Sequence, residues 1–392
     1  VLRTPLYDFH VKHGGKMVDF AGWEMPMWYQ LPDGAGGNGG ISQEHHQTRS
    51  SGSLFDVSHM GRFKVTGRHA ARFLERVCTR RVRDMKSGQC RYALVCNEQG
   101  GVHDDVIVYR MDDDDFTVVV NASNREKLLA HFKGVQERES LTFKLDDQTK
   151  STAMVAVQGP RVVEFVSKVS REIPTLKRYS FAVKNLVLAK LVVSRTGYTG
   201  EDGVEVILPA MIVSMAMNML LKDVNPSDPN ALVRPAGLGA RDTLRMEAGM
   251  PLYGHELGEE INALACGVDF AIALDKDQGE RPEPFIGLDA LKRTRDAGGP
   301  ERVLTGFALE GKRSARQGMT ILVGGSPSGV VTSGCPSPTL GYPIAMGFLA
   351  KEHRAVGTSV EIDTGKDRIV GKVVALPFYK APKKETPVAV KA

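Results

Sequence analysis

QCRYALVCNEQGGVHDDVIVYRMDDDDFTVVVNASNREKLLAHF, Gln89 to Phe132, decides the fold class. Gln89–Asn97 is an apolar run of β-forming residues, and Glu98–Gly101 supplies a glycine turn. Asp105–Arg110 reads as a second strand, Met111–Asp115 as a turn and Phe116–Asn121 as a third strand. Ala122–Phe132 then takes helical spacing, with Leu128, Leu129 and Phe132 on one face. The stretch predicts antiparallel sheet followed by helix, the pattern of an α+β unit.

Outward from it, Ala153–Val157 and Gly203–Leu208 read as strands, Leu188–Ser194 as another, and Leu238–Ala248 as a helix ended by Gly249 and Pro251. At Asp275–Pro284 the composition turns charged and proline-bearing (DKDQGERPEP), and a domain boundary is placed there. Beyond it six short β-rich segments separated by glycine and proline predict a small barrel or sandwich. The expected units are a catalytic region over 1–275, a barrel unit over 285–380 and a disordered tail over 381–392. Leu31–Gly40 (LPDGAGGNGG) is read as a glycine-rich loop without phosphate-binding character, because no GK[ST] follows it.

With 392 residues, 42% of them hydrophobic, the chain can bury more than one core. A net charge of +5 is too diffuse to argue for nucleic acid, and no apolar stretch is long enough to span a membrane. Arg80, Arg81, Arg83 and Lys86 form one basic cluster, read first as a solvated loop and second as a docking patch for an acidic carrier. The five cysteines are odd in number and lack metal-ligand spacing, so they are read as reduced thiols. No metal site is expected. The turn Asp112–Asp115 lacks the spacing of a calcium loop.

Four segments could carry chemistry. In GGVHDD (Gly100–Asp105) only one of the adjacent carboxylates Asp104 and Asp105 can face a given pocket, since strand neighbours alternate; the other is expected to cap the turn or meet solvent. In LFDVSHMG, Ser58 and His59 are adjacent on a segment read as extended and so do not pair as nucleophile and base; Met60 is a candidate pocket wall. In RTGYTGEDGVE, Glu205 lies between two valines and needs a partner if it faces inward; a planar heterocycle with two adjacent N–H donors, such as a pteridine, suits it. In GARDTLR, Arg241 and Arg245 share a helix face and either could grip an anion; the alternative is an ion pair with Asp242 or Glu247.

Seven stretches, in this order, closely resemble the T-protein (aminomethyltransferase) family of the glycine cleavage system: TPLYDFHVKHGGKMVDFAGWEMPMWY from Thr4, SLFDVSHMGRFKVTG from Ser53, GGVHDDVIVYR from Gly100, VAVQGP from Val155, RTGYTGEDGVEV from Arg195, GLGARDTLRMEAGMPLYGHEL from Gly237 and VTSGCPSP from Val331. The resemblance runs from about Leu2 to Tyr379. It implies a multidomain α+β fold, with two interleaved α+β subdomains around a central folate cavity and a C-terminal β-barrel. It implies an enzyme that moves the methylene of an aminomethyl group, carried on the lipoyl arm of H-protein, to tetrahydrofolate as one-carbon acceptor substrate, with release of ammonia. The resemblance makes Asp105 the key acid, as base or positioning group, Glu205 the pterin-recognising carboxylate and Arg241 a folate-binding cation. Met60, Tyr92, Asn121 and Tyr198 fall on positions that resemble pocket-lining residues. A monomer is expected, in a mitochondrial matrix for a eukaryotic source and otherwise in the cytoplasm. The chain departs from the family pattern in the long Leu31–Gly40 loop, in Phe270 where relatives often carry Trp, and in a short PFYK segment ending in Tyr379–Lys380. A non-catalytic relative that assists iron–sulfur cluster assembly would carry a KGCYxGQE-like motif near Tyr198, and this chain has no Cys or Lys there. The folate module of a sarcosine-type dehydrogenase would be fused to a flavin domain with a GxGxxG fingerprint, which is absent.

Overall fold

A computed structural model describes residues 1–30, 40–167, 170–186, 189–221, 225, 228 and 230–382. Most of the Leu31–Gly40 loop and of the 381–392 tail therefore lies outside the described residues. The first residues form a small sheet in which Leu2–Arg3 runs parallel to Trp23–Tyr29, and Trp23–Tyr29 pairs antiparallel with Gly15–Phe20.

Two larger sheets are nested one inside the other. The six-stranded sheet has the order 181–186, 189–194, 203–209, 152–158, 53–56, 234–235. The five-stranded sheet has the order 89–96, 102–112, 115–120, 61–66, 144–147. The chain leaves the first sheet after Asp56, builds the whole second sheet, and returns at Thr152–Gln158, where Val155 pairs with Asp56 and Ala156 with both Phe55 and Glu205. This interleaving makes the two sheets share one apolar layer. Phe55, Val57 and Met154 from one, Tyr109 and Val119 from the other, and Ala240 and Leu244 of helix Leu238–Glu247 are buried together. Each sheet also covers its outer face, the five-stranded one with helices Ala70–Val77 and Arg125–Arg138 over Phe63, Phe73, Phe116 and Phe132.

The strand expected over Asp105–Arg110 runs from Val102 to Asp112, so the hairpin turn is shorter than its residues suggest. Gly100 takes φ of 82° there, and a Cβ on Gly101 would lie 1.7 Å from the Glu259 carbonyl oxygen. The second glycine thus serves close backbone packing rather than flexibility.

The C-terminal segments close into a six-stranded barrel between Arg302 and Val374. The unit expected over 285–380 contains, besides the barrel, a helix (Leu288–Asp296) whose Leu288 and Leu291 pack with Leu94, Cys96 and Val102 of the five-stranded sheet. The charged stretch 275–284 is not a free linker. Lys276 is buried, pairs with Glu75 at 2.6 Å and donates to the carbonyls of Glu75, Cys78 and Arg80. Arg81 reaches Asp275 at 2.8 Å and Arg83 reaches Glu283 at 3.4 Å, so two of the four cluster residues pair with this segment, while Lys86 is exposed. All five cysteines are buried as free thiols. No helix among the described residues is long and apolar enough to cross a membrane. They also hold no cluster of His, Cys, Asp or Glu suited to a metal ion.

Candidate active site

A cavity of about 1340 Å³ opens where the two nested sheets, helix Leu238–Glu247 and the barrel meet. Met60, Tyr92, Asp105, Asn121, Tyr198, Glu205 and Arg241 all line it, and Pro336 and Pro338 of the barrel close one side. The seven named residues, spread over 181 positions from Met60 to Arg241, are thus brought to one space.

Asp105 enters from the five-stranded sheet. Asn121, at the end of the neighbouring strand, donates from Nδ2 to Asp105 Oδ1 at 2.7 Å and to Asp104 Oδ1 at 2.8 Å. Strand alternation does send the two carboxylates to different sides, but the expectation for Asp104 needs correction. It neither caps the glycine turn nor meets solvent. It is fully buried and accepts from the Asn121 backbone N–H at 3.0 Å and from Asn124 Nδ2 at 2.6 Å. Asp104 meets the first turn after the strand Asp115–Val120, whose backbone donors need an acceptor. Burial raises the proton affinity of both carboxyls, and for Asp104 the neighbouring Asp105 charge adds to it. The Asn121 amide opposes the rise at Asp105. The Tyr92 hydroxyl lies near enough to favour the Asp105 carboxylate, although it makes no hydrogen bond of ordinary geometry. Both carboxyls therefore hold their protons more tightly than ordinary carboxylates.

Glu205 enters from the six-stranded sheet and is 5% exposed. Thr196 Oγ1 donates to its Oε2 at 2.5 Å. Thr196 is backed by Ser194 at 2.8 Å, and Ser194 by the Tyr109 hydroxyl at 3.1 Å. This row of hydroxyls orients the carboxylate.

Arg241 and Arg245 share a helix face but not a role. Arg245 is buried in ion pairs with Glu256 and Asp242, each at 2.9 Å, and donates to Ser333 Oγ of the barrel at 3.0 Å. Arg241 has a buried Nη1 without a partner among the described residues and lies 5.0 Å from the centroid of the Tyr198 ring. Burial lowers its proton affinity while Glu205 sustains it. The Tyr198 hydroxyl is spent on the Pro251 carbonyl at 2.5 Å, which fixes the ring beneath the guanidinium. Among the described residues the site therefore offers a cation with an unpartnered Nη1, a braced carboxylate and a carboxylate of raised proton affinity around an apolar space.

Met60 and Tyr92 complete the wall, and the Tyr92 ring lies 5.9 Å from that of Phe270, a rim residue that is 65% exposed. Tyr379 does not line the cavity. Its backbone N–H donates to Glu247 O at 2.8 Å, and its ring lies 4.3 Å from the Arg49 guanidinium. The four-aspartate turn holds ion pairs, with Asp113 to Arg110 at 2.8 Å and Asp115 to Lys64.

Ser58 and His59 sit in a turn, not on an extended segment. The conclusion that they do not form a nucleophile–base pair stands on other geometry: Ser58 Oγ bonds both the Met154 N–H at 3.0 Å and its carbonyl at 3.1 Å. His59 does line the cavity. Sequence reasoning set the histidine aside together with the serine, and its position in the segment beside Met60 was the signal that could have found it. Phe20 and Tyr253, also on the wall, carry no sequence signal beyond being aromatic.

Two family models match the chain: the GCVT N-terminal domain over residues 6–276 and the glycine cleavage T-protein C-terminal barrel domain over residues 302–380. An aminomethyltransferase of Rubrobacter xylanophilus is 43% identical over 380 residues, covering 96% of this chain and 94% of the relative. One of Symbiobacterium thermophilum is 40% identical over 386 residues, covering 97% and 98%. The crystal structure of glycine cleavage system aminomethyltransferase T from Bartonella henselae superposes with a TM-score of 0.85 at 29% identity, covering 97% of this chain and 98% of that one.

Proposed function

From the premise that the chain belongs to the glycine cleavage T-protein family and is an aminomethyltransferase, we propose that its central cavity binds tetrahydrofolate and that Asp105 and Glu205 divide the work on it. The observation that carries this reading is that the two carboxylates, from separate sheets, open onto one cavity. Glu205, oriented by Thr196, accepts the paired N–H donors of the pterin edge. Arg241, without a protein partner at Nη1, faces the electron-rich or anionic part of the substrate, with Tyr198 as a flat wall. Met60 and Tyr92 pack on the ligand, and Asn121 acts through Asp105 by holding its Oδ1.

The chemistry requires two nitrogens of tetrahydrofolate to replace the nitrogen and the sulfur on one methylene. In sum, each folate nitrogen loses one proton; one proton leaves with ammonia and the other ends on the carrier thiol. Asp105, whose proton affinity burial has raised, is suited to hold a folate nitrogen in line and to accept a proton from it. The donor is the aminomethylated lipoyl arm of H-protein. The chain acts as a monomer in this reading. The relatives named above are bacterial, which favours a bacterial compartment over a mitochondrial one. The division into a catalytic region over 1–275 and a barrel unit over 285–380 belongs to the same proposal, and the two matched spans support it.

Calorimetry with tetrahydrofolate, followed by a methylene-transfer assay with aminomethylated H-protein, tests the reading. One-to-one binding and formation of 5,10-methylenetetrahydrofolate are expected. Absence of binding would remove tetrahydrofolate from the cavity.

A further inference from the structure

The turn that carries His59 is held from both sides by buried groups. Asp56, itself fixed by Thr4 at 2.6 Å and His10 at 2.8 Å, accepts the Ser58 N–H at 2.8 Å. The Arg62 guanidinium, 1% exposed, grips the carbonyls of Ser58 at 3.1 Å and Met60 at 2.5 Å, one on each side of His59. It is anchored in turn to the carbonyls of Thr149 and Thr152. Phe20 packs edge-on against the imidazole at 5.6 Å between centroids. The groups that hold the turn are hydrogen-bonded, yet His59 is 3% exposed and neither ring nitrogen bonds a described residue.

The two nitrogens differ. Nδ1 is closed off with no partner, whereas Nε2 is not closed off, and the residue lines the cavity. A buried N–H without an acceptor is costly, and an N–H at the enclosed Nδ1 would have none. The proton of a neutral imidazole therefore belongs on Nε2. Burial, with the Arg241 and Arg62 charges adding to it and Asp56 opposing, lowers the ring's proton affinity to about 4, so the ring is neutral at physiological pH.

We propose that His59 is a substrate-contacting residue of this cavity, a preorganised neutral donor whose Nε2–H bonds an oxygen or lone-pair nitrogen of bound tetrahydrofolate. It rests on the reading that the cavity takes that substrate, and it adds a donor opposite in sense to the acceptors Asp105 and Glu205. A ligand edge that meets both must present acceptor and donor atoms together, which is a criterion for selecting a reduced pterin over a merely flat aromatic molecule.

The test uses the full chain, with His59→Phe, which keeps a ring and removes both nitrogens, and His59→Gln, which restores an N–H donor at similar reach. Tetrahydrofolate affinity is measured by calorimetry, and histidine ring nitrogens by ¹⁵N NMR with and without the ligand. The expected result is about tenfold weaker binding for His59→Phe, partial recovery in His59→Gln, and a wild-type ring signal of the Nε2–H tautomer that shifts on saturation and is missing from both variants. Unchanged affinity in His59→Phe, an Nδ1–H tautomer, or a ring signal indifferent to the ligand overturns the inference. Should His59→Phe fail to fold, the wild-type ring signal, assigned through His59→Gln, decides alone. Failure of the wild-type chain to bind tetrahydrofolate sinks the proposed function; binding without a response at His59 sinks only this inference.

Discussion

Replacing Asp105 by Asn separates chemistry from folding, because the amide is isosteric and its Oδ1 can still accept from Asn121 at the 2.7 Å seen for the carboxylate. What disappears is one negative charge beside Asp104 and one proton acceptor facing the cavity. A general acid–base group contributes about 10²- to 10⁴-fold, so Asp105→Asn should slow methylene transfer by that factor, roughly 2.7–5.5 kcal/mol of barrier. Stability should move the other way. The folded pair holds its protons more tightly than free carboxylates do, so this contribution favours the folded state at low pH and is lost as pH rises through the raised value. Each unit of that rise corresponds to about 1.4 kcal/mol, and removing the Asp105 charge relieves part of it. Above about pH 5 the variant should therefore be as stable as the wild type or more so by about 1 kcal/mol, with a flatter dependence of stability on pH. The assay is single-turnover transfer from aminomethylated H-protein across pH, with thermal unfolding in the same buffers. The wild-type rate should rise along an acid limb displaced above the ordinary carboxylate range, and the variant should lack that limb. A variant that keeps more than about a tenth of the rate, or that retains the limb, refutes the role of Asp105 in proton transfer.

Glu205→Gln keeps the Thr196 bond but removes the charge, and should weaken tetrahydrofolate binding about tenfold or more by calorimetry while leaving the melting temperature nearly unchanged. Arg241→Met should weaken binding without loss of stability, since its Nη1 has no protein partner, whereas Arg245→Met strands Glu256 and should cost about 3–5 kcal/mol in denaturant unfolding. Equal destabilisation by the two would contradict the division between cavity cation and structural ion pair. Gly101→Ala should prevent normal folding or cost several kcal/mol, since its Cβ would meet Glu259 O at 1.7 Å; a variant with wild-type unfolding would show that the contact can open freely.

How much of this was legible beforehand depends on whether the determining interaction is local. The antiparallel hairpins around Gln89–Val120 and the short strands of the barrel follow from β-forming runs broken by glycine and proline, and strand alternation sufficed to say that Asp104 and Asp105 diverge. The motifs contain Met60, Asp105, Tyr198, Glu205 and Arg241 of the cavity wall, whereas Tyr92 and Asn121 lie outside them. Periodicity could not say what waits on the far side of a strand. Asp104 turned out to meet a helix start, not water, because Asn121 and Asn124 return to it from the next strand's end. The same holds for the charged stretch 275–284, whose Lys276 looks solvated in sequence and is buried against carbonyls some 196 to 201 positions earlier.

By itself the sequence determined the element types, the α+β class and the family, since those rest on neighbours in the chain and on motif order. Only the tertiary structure decided which of two equivalent arginines is left unpaired, and that a histidine dismissed beside its serine opens one nitrogen onto the cavity. Both outcomes depend on partners from distant strands and from the barrel. A hydrogen-bond count closes or fails to close only when all contributors are packed together.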